Sequence, residues 1–192
     1  MSTTDVFVHP RGLCESQDVG AGTRIWDFTH VMAGAVIGRD CNICSHSFIE
    51  DRVVLGDRVT VKNHVLIPAL VTIEDEVFIG PHATFTNDPA PRVAERTPEA
   101  QWQPTRVRRG ASICAGAVLC CGIEIGEGAF IAAGSVVTRS VPDHAFVRGN
   151  PARQCGWACE CGRRLAADGT CACGSRYPDR VWPLAAASGA TE

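Results

Sequence analysis

Lysine is almost missing from this chain: Lys62 stands alone among 192 residues, beside one tyrosine and an aromatic share of 6%. No apolar run approaches the roughly 18 residues of a membrane span. The stretch from Met1 to Pro10 lacks both the basic start and the apolar centre of a secretory leader. These absences predict a cytoplasmic protein with no membrane partner. Lys and Arg number 18 against 21 Asp and Glu, a net charge of -3. The cationic excess that nucleic-acid phosphates demand is therefore lacking too. What the chain does have is a hydrophobic fraction of 45%, enough for one domain and a small appendage. Its eleven cysteines are an odd count with no leader in front, which reads as reduced thiols rather than a disulfide framework. Cys41 and Cys44 fall where small apolar groups are wanted.

An aliphatic or Phe residue recurs every six positions from Phe7, Leu13, Val19 and Ile25 through Ile73, Ile79 and Phe85, fourteen hexads without a break. After an interruption the frame resumes at Val107, Ile113, Leu119, Ile125, Ile131 and Val137. The fifth place of most hexads is small or β-branched, as at Thr23, Ala35, Cys41, Ser47 and Val53. A helix needs apolar spacings of three and four, and a lone strand needs alternation. A period of six fits short strands joined by corners, three to a triangular coil of 18 residues. Gly38, Gly56, Gly80, Gly126 and Asn63 are the expected corner residues, where positive φ is tolerated. Val19, Ile37, Leu55 and Ile73 then form one ladder with a step of about 4.8 Å, and twenty hexads make between six and seven coils, roughly 30 Å tall. Such a solenoid is quasi-one-dimensional and needs caps.

The repeat over residues 7–153 resembles the hexapeptide-repeat acyltransferases. That resemblance, and not the periodicity, implies a left-handed winding. The expected fold is an all-β, left-handed parallel β-helix over residues 1–153, with an excursion loop at 87–106 and a small zinc-ribbon-like tail. The loop carries Pro89, Pro91, Pro98 and Pro104 with Glu95, Arg96 and Glu99, and a long loop on a rigid base is usually functional. The run Gly80-Pro81-His82-Ala83-Thr84-Phe85-Thr86-Asn87-Asp88, followed by Pro91-Arg92, resembles the nucleotide-sugar 3-N-acetyltransferases of the UDP-2-acetamido-3-amino-2,3-dideoxyglucuronate type. The resemblance implies an acetyl group moved from acetyl-CoA to an amine on a nucleotide-linked dideoxy amino sugar, in surface polysaccharide biosynthesis. Asn87 and His82 are the implied catalytic residues. Phe85, Thr86, Asp88, Arg92, His64 and His30 are the implied substrate contacts.

O-acetyltransferases of this fold have a histidine near the place of Asn87. A sugar hydroxyl is a weak acid and needs a general base. A sugar amine is already partly the free base, so an amide that accepts its hydrogen bond suffices for orientation, while backbone N–H groups stabilise the oxyanion. Asn87 also reads as a plain turn residue opening the loop. His46, His64 and His82 are spaced by 18 and should stack, with Phe28 below and Gly116 and Gly134 above. The stack reads either as a neutral ladder at a trimer interface or as a site in which His82 meets substrate. Gamma-class carbonic anhydrases share the fold, but their third histidine ligand would fall on Asn87, a poor zinc ligand.

Between Gly110 and Val141 small residues are dense. The run Ile131-Ala132-Ala133-Gly134-Ser135, with Arg139 and then Gly149-Asn150-Pro151-Ala152-Arg153, resembles the cofactor end of these enzymes. It implies that Ala115, Gly116, Ala133 and Gly134 bind the acetyl-CoA arm and that Arg139 and Arg153 meet its phosphates. Beyond Arg153, at 154–184, come two matched Cys-x-Cys-Gly knuckles, Cys159-Glu160-Cys161-Gly162 and Cys171-Ala172-Cys173-Gly174. Four thiolates suit structural zinc, and so short a segment has little core of its own. Cys155 is an alternative ligand. Residues 185–192 read as disordered. A homotrimer is expected, because one flat prism face needs a neighbour to wall a site.

Overall fold

A computed structural model of the chain describes residues 5–182, so the expectation for 185–192 lies outside the described residues. The architecture is the all-β, left-handed parallel β-helix. Nearly all strands are two residues long and distribute over three faces of nine, seven and six strands. Six coils carry a strand on every face, a seventh closes through the Ile125–Val141 bridge, and Ala145–Gly149 begins an eighth. Among the described residues no helix is long and apolar enough to cross a membrane.

The inward ladder stacks as the period dictates: Val19 on Ile37, Ile37 on Leu55, Leu55 on Ile73, then Ile73 on Val107 across the loop. Ile25, Ile43, Ile49, Ile67, Ile79 and Ile113 are fully buried, each side chain stabilising the fold by about 1.5–3 kcal/mol relative to exposure. The frame slips in the first coil. Val8 pairs with Ile25 and Cys14 with Val31, so Phe7 and Leu13, expected inside, are 42% and 52% exposed. Only four residues lie between Cys14 and Val19 where a full hexad has five, and a one-residue slip turns every side chain to the opposite face.

Corner chemistry also differs from expectation. Gly38, Gly56, Gly80 and Gly126 are absent from the positive-φ positions, as is Asn63. They are places of close approach: a Cβ on Gly38 would lie 2.3 Å from the Gly56 carbonyl oxygen one coil on, and one on Gly56 2.7 Å from Asp75 N. Among the described residues positive φ falls on twelve other glycines and on ten residues that are not glycine, among them Phe28, His46, His64 and His82. Each of the latter costs about 1–2 kcal/mol, offset by corner bonds such as His64 N–H to Ser45 O at 3.2 Å and His82 N–H to Asn63 O at 3.1 Å.

Arginines and carboxylates lace the outside of the third face from coil to coil. Glu74 meets Arg106 at 3.0 Å and Arg108 at 3.1 Å, and Glu76 bridges Arg58 at 3.0 Å and Arg109 at 2.8 Å. Hydrogen bonds from Arg109 and then Arg58 hold the Glu76 carboxyl below its usual range. At Glu74 partial burial pushes upward and is outweighed by the Arg109 N–H and the Arg108 and Arg106 guanidiniums. Carboxyls lowered in the folded state stabilise it above their unfolded values, about 4 to 4.5, and that contribution is lost as pH falls through the folded values. Calorimetry should therefore show a melting temperature that is level from about pH 7 to 5 and falls below about 4, less steeply in Arg109→Ala. Gly56→Ala, forced against backbone, should cost about 3 kcal/mol. Gly110→Ala, whose Cβ would meet nothing within 4 Å, should cost only the left-handed penalty of about 1 kcal/mol.

Candidate active site

The corner joining the first face to the second carries one position from every coil. From the bottom it reads Phe28, His46, His64, His82, Gly116, Gly134, linked upward by bonds such as Gly116 N–H to Pro81 O and Gly134 N–H to Ala115 O, both 2.9 Å. The rings stack: Phe28 on His46 at 4.9 Å, His46 on His64 at 4.8 Å, His64 on His82 at 4.9 Å, the imidazole planes within 5° of parallel. The left-handed backbone turns every one of these side chains outward, so all are exposed. Above His82 the column holds only Gly116 and Gly134, around whose Cβ positions there is nothing within 4 Å. One face of the His82 ring therefore borders an open shelf.

At the head of this corner stands a hairpin. Strand Ala145–Gly149 continues the first face, with Ile131 under Val147, which sets Arg148 over Ala132. Strand Ala152–Trp157 returns antiparallel and places Arg153 opposite Arg148. Like charges facing across a ladder repel, and neither has an acidic partner among the described residues, so the pair is poised for an anion. Arg153 was expected here. Arg148 was missed, although a turn at Gly149-Asn150-Pro151 would have folded it back against Arg153. Arg139 follows strand Val136–Val137 on the second face, five residues past Gly134 and thus at the opposite corner, about 16 Å away along extended chain. Arg139 and Arg153 do not converge within one chain.

The same geometry separates the two expected catalytic residues. His82 precedes strand Thr84–Phe85 and Asn87 follows it, which again puts about 16 Å of extended chain between opposite corners. Asn87 sits at the foot of the loop. Its Nδ2 donates to Ala69 O at 3.4 Å and its carbonyl accepts the Gln103 N–H at 2.9 Å, pinching the loop shut. That leaves Oδ1 as an acceptor, an assignment made from the hydrogen-bond pattern. The loop returns to the prism at Thr105, where strand Thr105–Val107 pairs with Val71–Ile73, so the excursion ends one residue before Thr105 rather than at 106. Arg52 anchors it, reaching Glu99 at 3.2 Å and lying 6.0 Å over the Trp102 ring. Neither Arg52 nor Trp102 was legible as part of the site.

The remaining expectations divide. Thr86 is half-buried and bonds Leu119 O through its N–H at 3.2 Å. The Asp88 carboxylate accepts the Ala90 N–H at 2.9 Å, an Asx turn that shapes the loop. Arg92 is exposed on the loop, and His64 is the middle ring of the stack. Phe85 is only 2% exposed: its position in the hexad frame turns the ring into the core, so it has no surface for a substrate. His30 lies on the second face three strands below Thr84–Phe85, held by Glu15 at 2.9 Å, too low on the prism to join Asn87 or His82. Parallel stacked imidazoles do not converge on an ion. The one group of three or more potential metal ligands that converges among the described residues is made of cysteines.

Those cysteines are Cys159, Cys161, Cys171 and Cys173, with all four sulfurs within 4.8 Å of one another. Cys159 to Cys173 and Cys161 to Cys171 are 3.6 Å apart. A tetrahedral zinc with bonds of about 2.3 Å has ligand edges of about 3.8 Å, so the donor set fits that ion. The knuckles match in backbone too: Gly162 N–H bonds Cys159 O at 2.8 Å and Gly174 N–H bonds Cys171 O at 2.9 Å. Cys155 is outside the cluster, at the register shift of the hairpin.

A six-residue repeat wound into a parallel β-helix is the fold of the hexapeptide-repeat transferases. The family described as bacterial transferase hexapeptide (six repeats) matches residues 18–51 and 104–139, on either side of the loop. The chain is 47% identical over 179 residues, 92% of its own length and 92% of the relative's, to the dTDP-3-amino-3,6-dideoxy-alpha-D-galactopyranose 3-N-acetyltransferase of Aneurinibacillus thermoaerophilus. Against the acyl-[acyl-carrier-protein]–UDP-N-acetylglucosamine O-acyltransferase of Brucella ovis it is 36% identical over 64 residues, 33% of this chain and 23% of that one. Two solved structures share the fold. WeeI from Acinetobacter baumannii AYE gives a TM-score of 0.57 at 23% identity, covering 69% of this chain and 59% of its own. A hexapeptide transferase family protein from Anaplasma phagocytophilum gives 0.51 at 15%, covering 83% and 82%. The chain belongs to the bacterial hexapeptide transferases, and to the N-acetyltransferases among them.

Proposed function

We propose that this protein, as a cytoplasmic homotrimer, transfers the acetyl group of acetyl-CoA to an amine on a dTDP- or UDP-linked dideoxy amino sugar destined for a surface polysaccharide. The carrying observation is the track along one corner: paired arginines at the top, a shelf of Ala133-Gly134 and Ala115-Gly116 beneath, and the open face of His82 at its foot. Three coil steps make it about 14 Å long. Arg148 and Arg153 would take CoA phosphates, with planar forks that bond two oxygens at once. The arm would lie on the shelf, where the Ala133 carbonyl has no coil above it, and the thioester would reach His82. The near-full-length relative named as a 3-N-acetyltransferase supports both the acetyl donor and an amine on a nucleotide sugar as acceptor.

In the reaction the amine nitrogen attacks the thioester carbonyl carbon, the carbon–sulfur bond breaks, and the CoA thiolate leaves as the amide forms. Asn87 Oδ1 would accept one amine N–H and aim the lone pair, its rotation fixed by Ala69. The attacking amine sheds a proton, which His82 or the departing thiolate takes up. Because His82 and Asn87 occupy opposite corners of one prism, a single site needs the corner of one subunit and the loop of the next, the arrangement a three-fold assembly supplies. Arg139, on the loop-bearing corner, would join the neighbour's site by the same rotation. The tail would hold one structural zinc on Cys159, Cys161, Cys171 and Cys173, a set whose spacing fits the ion.

Asn87→Ala should lower turnover by roughly ten- to a thousand-fold with little change in acetyl-CoA affinity. His82→Asn should do less harm than Asn87→Ala if the amine arrives already deprotonated. Denaturing the two variants together and refolding them as mixed trimers should give a rate above the mean of the two parents, since about a quarter of the sites then draw an intact histidine and an intact asparagine from different chains. Steady-state kinetics on a panel of nucleotide-linked 3-amino and 4-amino sugars provides the readout. A mixture no more active than the mean of its parents removes the shared site, and an Asn87→Ala enzyme with unchanged turnover removes the orienting amide.

A further inference from the structure

The tail is fastened to the acetyl-CoA end of the prism at three places, each belonging to a strand that leads into the proposed cofactor track. Strand Ala152–Trp157 has Arg153 near one end, while its other end runs directly into Ala158 and Cys159. The Ala158 N–H bonds His144 O at 2.7 Å, just before strand Ala145–Gly149, and the Leu165 N–H bonds Trp157 O at 2.9 Å. Trp157 packs against both the prism core and the small cluster of Cys159, Leu165 and Cys171. Arg164 reaches back from beyond the first knuckle. Its guanidinium lies 5.9 Å over Phe146, two residues before Arg148, and donates to the Cys155 carbonyl where the hairpin register shifts. Gly156 lets it approach, since a Cβ there would stand 2.7 Å from Arg164 Nε. The turn of the first knuckle faces Phe130, whose Cε2 would be 3.9 Å from a Cβ on Gly162. Phe130 opens the strand that runs into Ala132, Ala133 and Gly134, and it stacks on Phe146 at 4.8 Å.

The core of the tail is three buried residues, too little apolar burial to order a segment of this size. Its rigidity must come from what joins the two knuckles. We infer that the four-cysteine cluster is a positioning clamp: a metal bound there locks the knuckles against Phe130, Phe146 and the hairpin and so holds Arg148 and Arg153 over the shelf. This rests on the zinc and acetyl-CoA readings above and adds to them a coupling between the metal and the cofactor site. Ordering the cation pair before the cofactor arrives removes part of the cost of binding it. Misplacing that pair by about an ångström is enough to lose about tenfold or more in the use of acetyl-CoA.

Zinc content, acetyl-CoA affinity and steady-state kinetics would be measured on the purified full chain, on the same protein stripped with a chelator, and on Cys171→Ser. The stripped protein provides the result should Cys171→Ser fail to fold. The expected outcome is about one zinc per chain at the start and, after its loss, a KM and Kd for acetyl-CoA raised about tenfold or more. The KM for the sugar, kcat at saturating acetyl-CoA and the main melting transition should stay near their original values, and zinc added back should restore affinity. Arg148→Ala in the zinc-loaded protein should reproduce the loss, and stripping that variant should add little, as expected for two changes acting through one contact. Metal-free protein that binds acetyl-CoA as tightly as before would overturn the clamp while leaving the zinc reading standing. Protein that never held a metal would remove both, and loss of the main melting transition on stripping would make the cluster a folding element rather than a positioning one.

Discussion

Every coil of this prism must sit one strand spacing, about 4.8 Å, above the last, and the rest of the structure follows from that constraint. Backbone bonds such as Phe48 N–H to Val65 O at 2.9 Å repeat it along each face. The spacing leaves no room for a Cβ where coils touch at Gly38, Gly56, Gly80 and Gly126. It also copies each corner upward. A side chain placed at a corner is stacked on its counterpart above and below, which is why three histidines spaced by 18 become a column of parallel rings. The same copying turns two glycines into a shelf. Site and scaffold are thus made by one repeat, with function obtained by changing the side chain at a single position from ring to none.

Periodicity made most of the scaffold legible, because a six-residue recurrence of Ile, Val and Leu fixes which side chains point inward and therefore how coils register. It failed where a residue is missing. Between Cys14 and Val19 the first coil is one residue short, which turns Phe7 and Leu13 outward, and an unbroken hexad count passes over such a slip. Corner glycines were misread for a related reason. Glycine serves either positive φ or close approach, and here the glycines at positive φ are others, such as Gly34, Gly116 and Gly134, joined by histidine, arginine and acidic side chains. The site was legible as a set of residues but not as an arrangement. His82 and Asn87 are close in sequence, yet an extended strand between them makes them far apart in space, and Arg148 becomes visible only once the hairpin turns back on itself.

The residue at the loop's foot bears on the chemistry in a way the fold does not. An asparagine held through Nδ2 by a backbone carbonyl offers one oriented acceptor and no proton-accepting base. A hydroxyl acceptor would need a general base, whereas an amine arrives partly deprotonated and asks mainly for alignment. The near-full-length relative is named as an N-acetyltransferase, whereas the match to an O-acyltransferase is confined to 33% of the chain. A fold shared by both chemistries leaves the choice to such local differences.

The top of the prism is where the repeat's logic ends, and a parallel ladder that simply stopped there would expose a strand edge. Antiparallel strand Ala152–Trp157 covers the edge of the first face, but that strand needs an anchor of its own. Continuing the hexads would have copied the corner once more and set another glycine or ring where the paired arginines stand. The turn between Gly149 and Ala152 reverses the backbone, so that Arg153 comes to face Arg148, and the knuckled tail secures the returning strand through Trp157 and Arg164. Small cores are commonly held by metal where burial is insufficient. Four thiols within 4.8 Å of one another at the end of that strand would place such a hold beside the paired arginines that we propose meet the cofactor.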